Sequence, residues 1–249
     1  MEVSIPKTSL VMKALLKADY TTLWRNRRAS VMVLLVPMII VFTWKGVIYK
    51  TGGAFVLSNA ITLGLIAIGL MGYTNSIARD RDKGVFQRLR VSPLPLWTIM
   101  ISRLLVQLTL ILVLVVVVFI AGYQFDQITL PFGGYAGTFI MAIVCGSVYL
   151  SLGQVIVGRI KNPETVNSTA RLIYFAFILV GMLGESGLIN DTLKEIADWT
   201  PYGTVSNLLT ASLDHTRWTN HTNISLLLTL GYTLVFATLG IKWFKWDSK

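Results

Sequence analysis

A chain of 249 residues that is 54% hydrophobic and only 14% charged carries more apolar surface than a soluble core of that size can hide, which excludes an ordinary soluble domain and points to a membrane. The formal net charge of +10, in so apolar a chain, suits an anionic membrane surface rather than nucleic acid as a partner. Cys145 is the single cysteine, so no internal disulfide framework exists, and with only His215 and His221 beside it no convincing Cys/His metal site is formed.

In chain order, the amino-terminal arm comes first. Leu10, Val11, Ala14, Leu15 and Ala18 recur at helical spacing with Lys13 and Lys17 between them, after Pro6 at a suitable helix start. This predicts an amphipathic helix within 1–28 lying flat on the cytoplasmic face. No basic region followed by a short apolar stretch and a small-residue cleavage site precedes it, so no cleaved signal peptide is expected.

Crossing a hydrocarbon layer of ~30 Å takes about twenty helical residues. Uncharged stretches of that length occur at 51–78, 104–125, 127–158 and 222–241. A further stretch, 29–44, reaches spanning length when extended past Lys45, whose long stem carries its ammonium to the headgroups. The weakest lies between Arg171 and Glu185, roughly 20 Å of helix at 1.5 Å per residue, and spans only if it begins near Thr165. The expected fold is therefore an all-α integral membrane protein with six transmembrane helices at about 29–49, 53–77, 98–122, 133–158, 165–187 and 222–243.

With six spans both termini share a side, and the basic residues choose it. Placing the termini in the cytoplasm puts eighteen Lys and Arg inside and leaves only Lys45, Lys50, Lys194 and Arg217 outside. The tryptophans Trp24, Trp44, Trp97, Trp199, Trp218, Trp243 and Trp246 all fall at or beyond span ends, where an amphipathic ring sits at the interface. The expected location is a multi-pass position in the cell membrane.

The longest loop on the inside is an island of charge. Arg79, Asp80, Arg81, Asp82 and Lys83 alternate in sign and Gly84 interrupts; Val85, Phe86 and Leu89 then make an apolar face beside Gln87, Arg88 and Arg90, until Ser92, Pro93 and Pro95 stop the helix. A short surface helix with an exposed Phe86 and Leu89 fits a docking element whose anchors fill a partner's groove. A basic loop that only sets topology fits the composition equally well.

The run 79–89, followed by Val91, Ser92, Pro93, Leu94 and Trp97, resembles the signature loop of the permease subunits of type-two ABC exporters, which include drug, polysaccharide and lipid-linked glycan exporters. The resemblance covers nearly the whole chain, through an amphipathic amino-terminal helix, six spans and a last external segment with an aromatic-Pro-aromatic element, here Trp199, Thr200, Pro201 and Tyr202. The chain departs from the pattern at Asp80 and Asp82, where glutamates are usual, and at Val85, where a small hydroxyl residue is common.

The resemblance implies a coupling helix at 79–90 that docks on a separate nucleotide-binding ATPase subunit through Asp80, Arg81, Asp82, Lys83, Phe86, Arg88 and Leu89. It implies a second permease copy, with the translocation path at the dimer interface. No Gly-x-x-x-x-Gly-Lys-[Ser/Thr] occurs in the chain, so it is not expected to act as an enzyme on its own or to hold a cofactor; ATP and Mg would be bound by the partner. Span two is rich in small and polar residues, and Ser58, Asn59, Thr62, Tyr73 and Asn75 are candidates for the path, although such residues serve close helix contacts equally well.

The segment 185–220 resembles the pair of short external helices that dip back into the outer leaflet in that family. Its carboxylates admit a rival reading, a multi-span membrane enzyme using Glu195 and Asp198, spaced i, i+3, as an acid/base pair. Against it, no nucleophile or metal set accompanies them. A passive channel has no filter-like motif or charged ring in its favour.

Overall fold

The computed structural model describes residues 8–25, 27–90, 96–182, 184 and 191–244. All regular structure among them is helical: α1 (Thr8–Arg25), α2 (Arg27–Thr43), α3 (Lys45–Thr51), α4 (Gly53–Ile66), α5 (Asn75–Asp82), α6 (Val85–Arg90), α7 (Leu96–Asp126), α8 (Phe132–Arg159), α9 (Pro163–Ala176), α10 (Asp191–Trp199), α11 (Pro201–Leu213) and α12 (Asn220–Trp243). Four helices are long and apolar enough to cross a membrane, namely Gly53–Asp82, Thr98–Asp126, Phe132–Arg159 and Asn220–Trp243. The pair Val33–Thr43 and Lys45–Thr51, taken as one broken span, makes five. The all-α membrane fold is as expected; the span expected at 165–187 falls on α9 and the π-helical turn Phe177–Met182 after it, which lie outside that set.

The first span differs from the expected straight helix over 29–49, because it bends by 67° between Thr43 and Lys45. The hydroxyl of Thr43 donates back to the Ile39 carbonyl at 2.8 Å, and Trp44 leaves helical geometry to stack on Phe55 with ring centroids 6.5 Å apart. Lys45 Nζ then lies 4.0 Å from the buried carboxylate of Asp126 at the end of α7. An aromatic platform and an ion partner thus hold the turn where composition alone favoured extension.

Helix ends follow local chemistry. Asn162 accepts hydrogen bonds from the Glu164 and Thr165 amides at 2.8 and 3.1 Å with Pro163 in the first turn, so α9 starts there. Thr200 and Pro201 start α11 in the same way, with the Gly203 amide donating to Thr200 Oγ1 at 3.3 Å.

Span two (Gly53–Asp82) is the most enclosed of the candidate spans; α2, α7 and α8 pack against it, while α12 packs on α8 and α11. Its middle, Ala67–Thr74, is π-helical, and the Thr74 hydroxyl donates to the Gly69 carbonyl five residues back at 2.8 Å. Close approach of neighbouring helices explains two of its glycines, Gly69 against α8 and Gly64 against α7, and Gly153 of α8 itself. A Cβ on Gly69 would sit 2.6 Å from the Tyr149 carbonyl carbon, and one on Gly153 would strike Thr74 Oγ1 and lie 2.8 Å from the Gly69 oxygen. A Cβ on Gly64 would collide with Leu114 of α7. Small residues at crossings let helix backbones approach in a bilayer, where apolar burial alone does not hold helices together.

The α11 helix lies antiparallel to α8. Tyr149 donates its hydroxyl to the Pro201 carbonyl at 3.0 Å at one end, while at the other Ser212 and Thr138 share a hydrogen bond at 3.2 Å and the Leu213 carbonyl meets Gly134. Span two completes its burial, with Tyr202 donating to Asn59 Oδ1 at 2.6 Å and Thr210 to Ser58 Oγ at 2.6 Å.

Gly153→Val should force span two and α8 apart and lower the melting temperature of the detergent-purified protein, at a cost of ~1–3 kcal/mol for overpacking. Gly231→Ala, where an added methyl group meets nothing within 4 Å, should leave melting unchanged.

Candidate functional site at the basic end of the bundle

Beyond Asp82 the chain reverses in two residues. Gly84 takes φ +67°, a conformation that costs glycine little, and its amide donates to the Arg81 carbonyl at 3.0 Å, so α6 folds back against the end of span two. Arg88 closes the hairpin by donating Nη2 to the Lys83 carbonyl at 2.7 Å. The short helix is α6 (Val85–Arg90), while residues 79–82 belong to the end of span two. Ser92, Pro93 and Pro95 lie outside the described residues.

The seven docking candidates divide by exposure. Asp82, Lys83 and Arg88 are exposed, Asp80 is partly buried, and Leu89 packs partly buried against the core. Phe86 departs from the expectation of an exposed anchor: it is 0% exposed, and its ring meets Phe244 edge to face at 6.0 Å. The reversal at Gly84 turns the apolar face of α6 inward, where the end of α12 covers it.

Arg81 is equally far from a surface contact, at 1% exposure. Its Nη1 donates to the Val157 carbonyl at 2.7 Å, and its Nη2 donates to the carbonyls of Ile160 and Lys161 at 2.6 and 3.0 Å. The last carbonyls of a helix have no intrahelical partners and carry partial negative charge, so a forked cation satisfies them and pins the end of span two to the end of α8.

A second arginine joins three segments. Arg103 of α7 places Nη2 2.7 Å from Asp80 Oδ2 and Nε 3.2 Å from Asp19 Oδ1, and the Ser102 hydroxyl donates to the other Asp19 oxygen. Burial pushes the Asp19 carboxyl above the usual carboxylate range, against the opposing pull of Arg103 and of the Ser102 hydrogen bond. Tyr20 and Thr109 share a further hydrogen bond at 2.5 Å, so α1 is held along α7 by polar contacts as well as by its apolar stripe. The sequence carries little signal for either arginine's role, because alternating signs mark a charged segment without saying which of its members turns inward.

Beside this hairpin a cleft of about 830 Å³ opens between α1, α2, span two, α7 and α9. Of the five residues proposed for a path, only Asn75 lines it. Ser58, Asn59 and Thr62 are buried elsewhere along span two, the first two bonded to α11 and Thr62 to the Ser58 carbonyl at 2.8 Å. Tyr73 donates to Gln154 Oε1 on α8 at 2.8 Å. These four act as contacts between or within helices, one of the two roles that their composition allowed.

At the other end of the bundle, Glu195 is exposed and Asp198 half-buried on α10. Asp214 accepts from the Thr216 hydroxyl and amide at 2.6 and 3.2 Å and pairs with Arg217 at 3.1 Å, and the Thr216 hydroxyl first among these holds its carboxyl below the usual range.

A bundle of long apolar helices with a folded-back charged hairpin at its basic end is the fold of an integral membrane protein. A family model described as ABC-2 family transporter protein matches residues 49–242, and the chain belongs to that family. No curated protein matches the chain significantly. It is thus an ABC transporter permease, a transport membrane subunit.

Replacing Arg81 by Met should strip the end of α8 of three charge-assisted hydrogen bonds and lower stability by about 3 kcal/mol or more. Arg81→Lys should recover little, because a single ammonium cannot reproduce the fork. Thermal melting of the purified variants checks both.

Proposed function

We propose that this permease serves an ATP-driven exporter, works as a pair of copies, and couples to a separate ATPase subunit through the hairpin of α5 and α6. One observation carries the reading. The hairpin is fixed to its own bundle through Arg81 and Phe86, while Asp82, Lys83 and Arg88 remain exposed at its tip. A docking element that transmits motion needs both a rigid root and a free face.

In this reading the basic end faces the cytoplasm, following the asymmetry of Lys and Arg. The ATPase subunit binds ATP and Mg, since this sequence has no phosphate-cradling loop. Its closure displaces the hairpin tip; Arg81 carries the displacement to α8, and Arg103 carries it through Asp80 and Asp19 to α7 and α1. Asp80, Arg81, Phe86 and Leu89 then support the interface from behind, and Asp82, Lys83 and Arg88 touch the partner. The helices α10 and α11 form a re-entrant segment from the outside, supported by the course of α11 along α8 from Gly134 to Tyr149. The cleft is one protomer's share of the path.

The double variant Asp82→Ala, Lys83→Ala, which leaves the Arg88 bond that closes the hairpin intact, should insert and melt like the parent and lose about tenfold or more in association with the ATPase subunit, measured by co-purification from reconstituted membranes. Association equal to the parent would refute the docking assignment. Phe86→Ala is the contrasting case, because loss of its packing on Phe244 should lower melting as well.

A further inference from the structure

Three walls of the cleft change character in the same direction. Along α7 the lining runs from Leu110 through Gln107 to Arg103, and along span two from Ile68 through Asn75 to Arg79. Along α9 and the π-helical turn after it, Ile178, Tyr174, Arg171 and Asn167 follow one another at helical spacing on the cleft side. Such a gradient alone is ordinary for the basic end of membrane helices, but two side chains within it are not. Gln107 and Tyr174 are only 7% and 5% exposed, both line the cleft, and among the described residues neither Gln107 Oε1 nor the Tyr174 hydroxyl has a hydrogen-bond partner. Buried polar atoms are nearly always paired, and an unpaired one is costly. A free acceptor and a free hydroxyl on the walls of one apolar cleft are the complement of a ligand group that can both donate and accept.

We infer that the cleft is a binding site for a single-chain anionic amphiphile, whose hydroxyl or amide lies against Gln107 and Tyr174, whose apolar body packs toward Ile68, Leu110 and Ile178, and whose anionic group meets Arg171. Arg171 is exposed at the mouth and has no ion pair among the described residues, whereas Arg103 is already matched by Asp19 and Asp80. Arg79 lines the same mouth, and Glu164 opposes them there, so the site favours a modest negative charge over a bare polyanion. The proposal rests on the reading of this cleft as part of the transport path and names the class of molecule that path accepts.

The test uses the full chain in phosphatidylcholine nanodiscs with oleoyl lysophosphatidate as probe, a molecule with one chain, one hydroxyl and a phosphate. Lysophosphatidate should raise the melting temperature in a saturable way, whereas lysophosphatidylcholine and inorganic phosphate should not. Gln107→Leu and Tyr174→Phe should melt at or above the parent without ligand, because each removes an unpaired buried polar atom, and each should weaken lysophosphatidate binding about tenfold. Arg171→Gln should erase the preference for lysophosphatidate over lysophosphatidylcholine. Gly72→Leu, whose Cβ would meet only the Ala67 carbonyl and Gln107 Oε1 at 3.8 and 4.0 Å, should intrude on the cleft beside Gln107 and weaken binding. Equal binding by all four variants, equal stabilisation by inorganic phosphate, or lower melting of Gln107→Leu and Tyr174→Phe without ligand would each overturn the inference. Failure of the docking test with these results intact would instead overturn the coupling role and leave the site standing.

Discussion

The contact on which the rest of the molecule depends is the guanidinium of Arg81 laid across the last carbonyls of α8. A charge buried to 1% exposure persists only if its donors are matched, and here the matching groups are carbonyls that a helix end leaves orphaned. One interaction therefore settles two otherwise costly features and fixes where span two ends relative to α8. Higher up, the same two helices come within backbone contact at Gly69 and Gly153, which tolerates no slippage. Lower down, the reversal at Gly84 and the packing of Phe86 on Phe244 set the hairpin against α12.

Rigidity at that root gives the proposed mechanism its physical content. A tip carrying Asp82, Lys83 and Arg88 on a floppy loop would absorb a push; on a root pinned at Arg81 it passes the push to span two, whose π-helical middle forms a wall of the cleft. Arg103 widens the reach by tying Asp80 and Asp19 to α7, so α1 shares in any displacement of the hairpin. The cleft, the hairpin and α1 thus belong to one connected polar and packed network rather than to three separate features.

Much of this was legible in the sequence. Uncharged runs located the long helices, and the run 79–89 carried the resemblance to the family that matches, although the helix expected over 79–90 is divided at Gly84. What the pattern could not give was direction. The period of Val85, Phe86 and Leu89 showed an apolar face on α6, but whether a partner or the chain's own α12 covers it depends on a residue more than a hundred positions away. Arg81 read as one of several surface charges because its acceptors lie 76 to 80 positions along the chain. Ser58, Asn59, Thr62 and Tyr73 read as either glue or pathway, and the bonds that Ser58, Asn59 and Tyr73 make depend on where α8 and α11 lie, which the pattern does not contain. The bend after Thr43 needed Phe55 and Asp126, neither of which is adjacent in sequence. Gln107 and Tyr174 carried no motif at all; only their burial without partners distinguishes them.

The claim at the centre of this account is that the hairpin moves as one body with the end of α8. Spin labels at Lys83→Cys and Lys161→Cys, in a chain whose buried Cys145 is replaced by Ala, report that separation directly by electron–electron double resonance in the reconstituted complex. The account predicts the same distance distribution with and without trapped ATP, and a broadened one when Arg81 is replaced by Met. A distribution that shifts on ATP trapping in the otherwise native chain would contradict it.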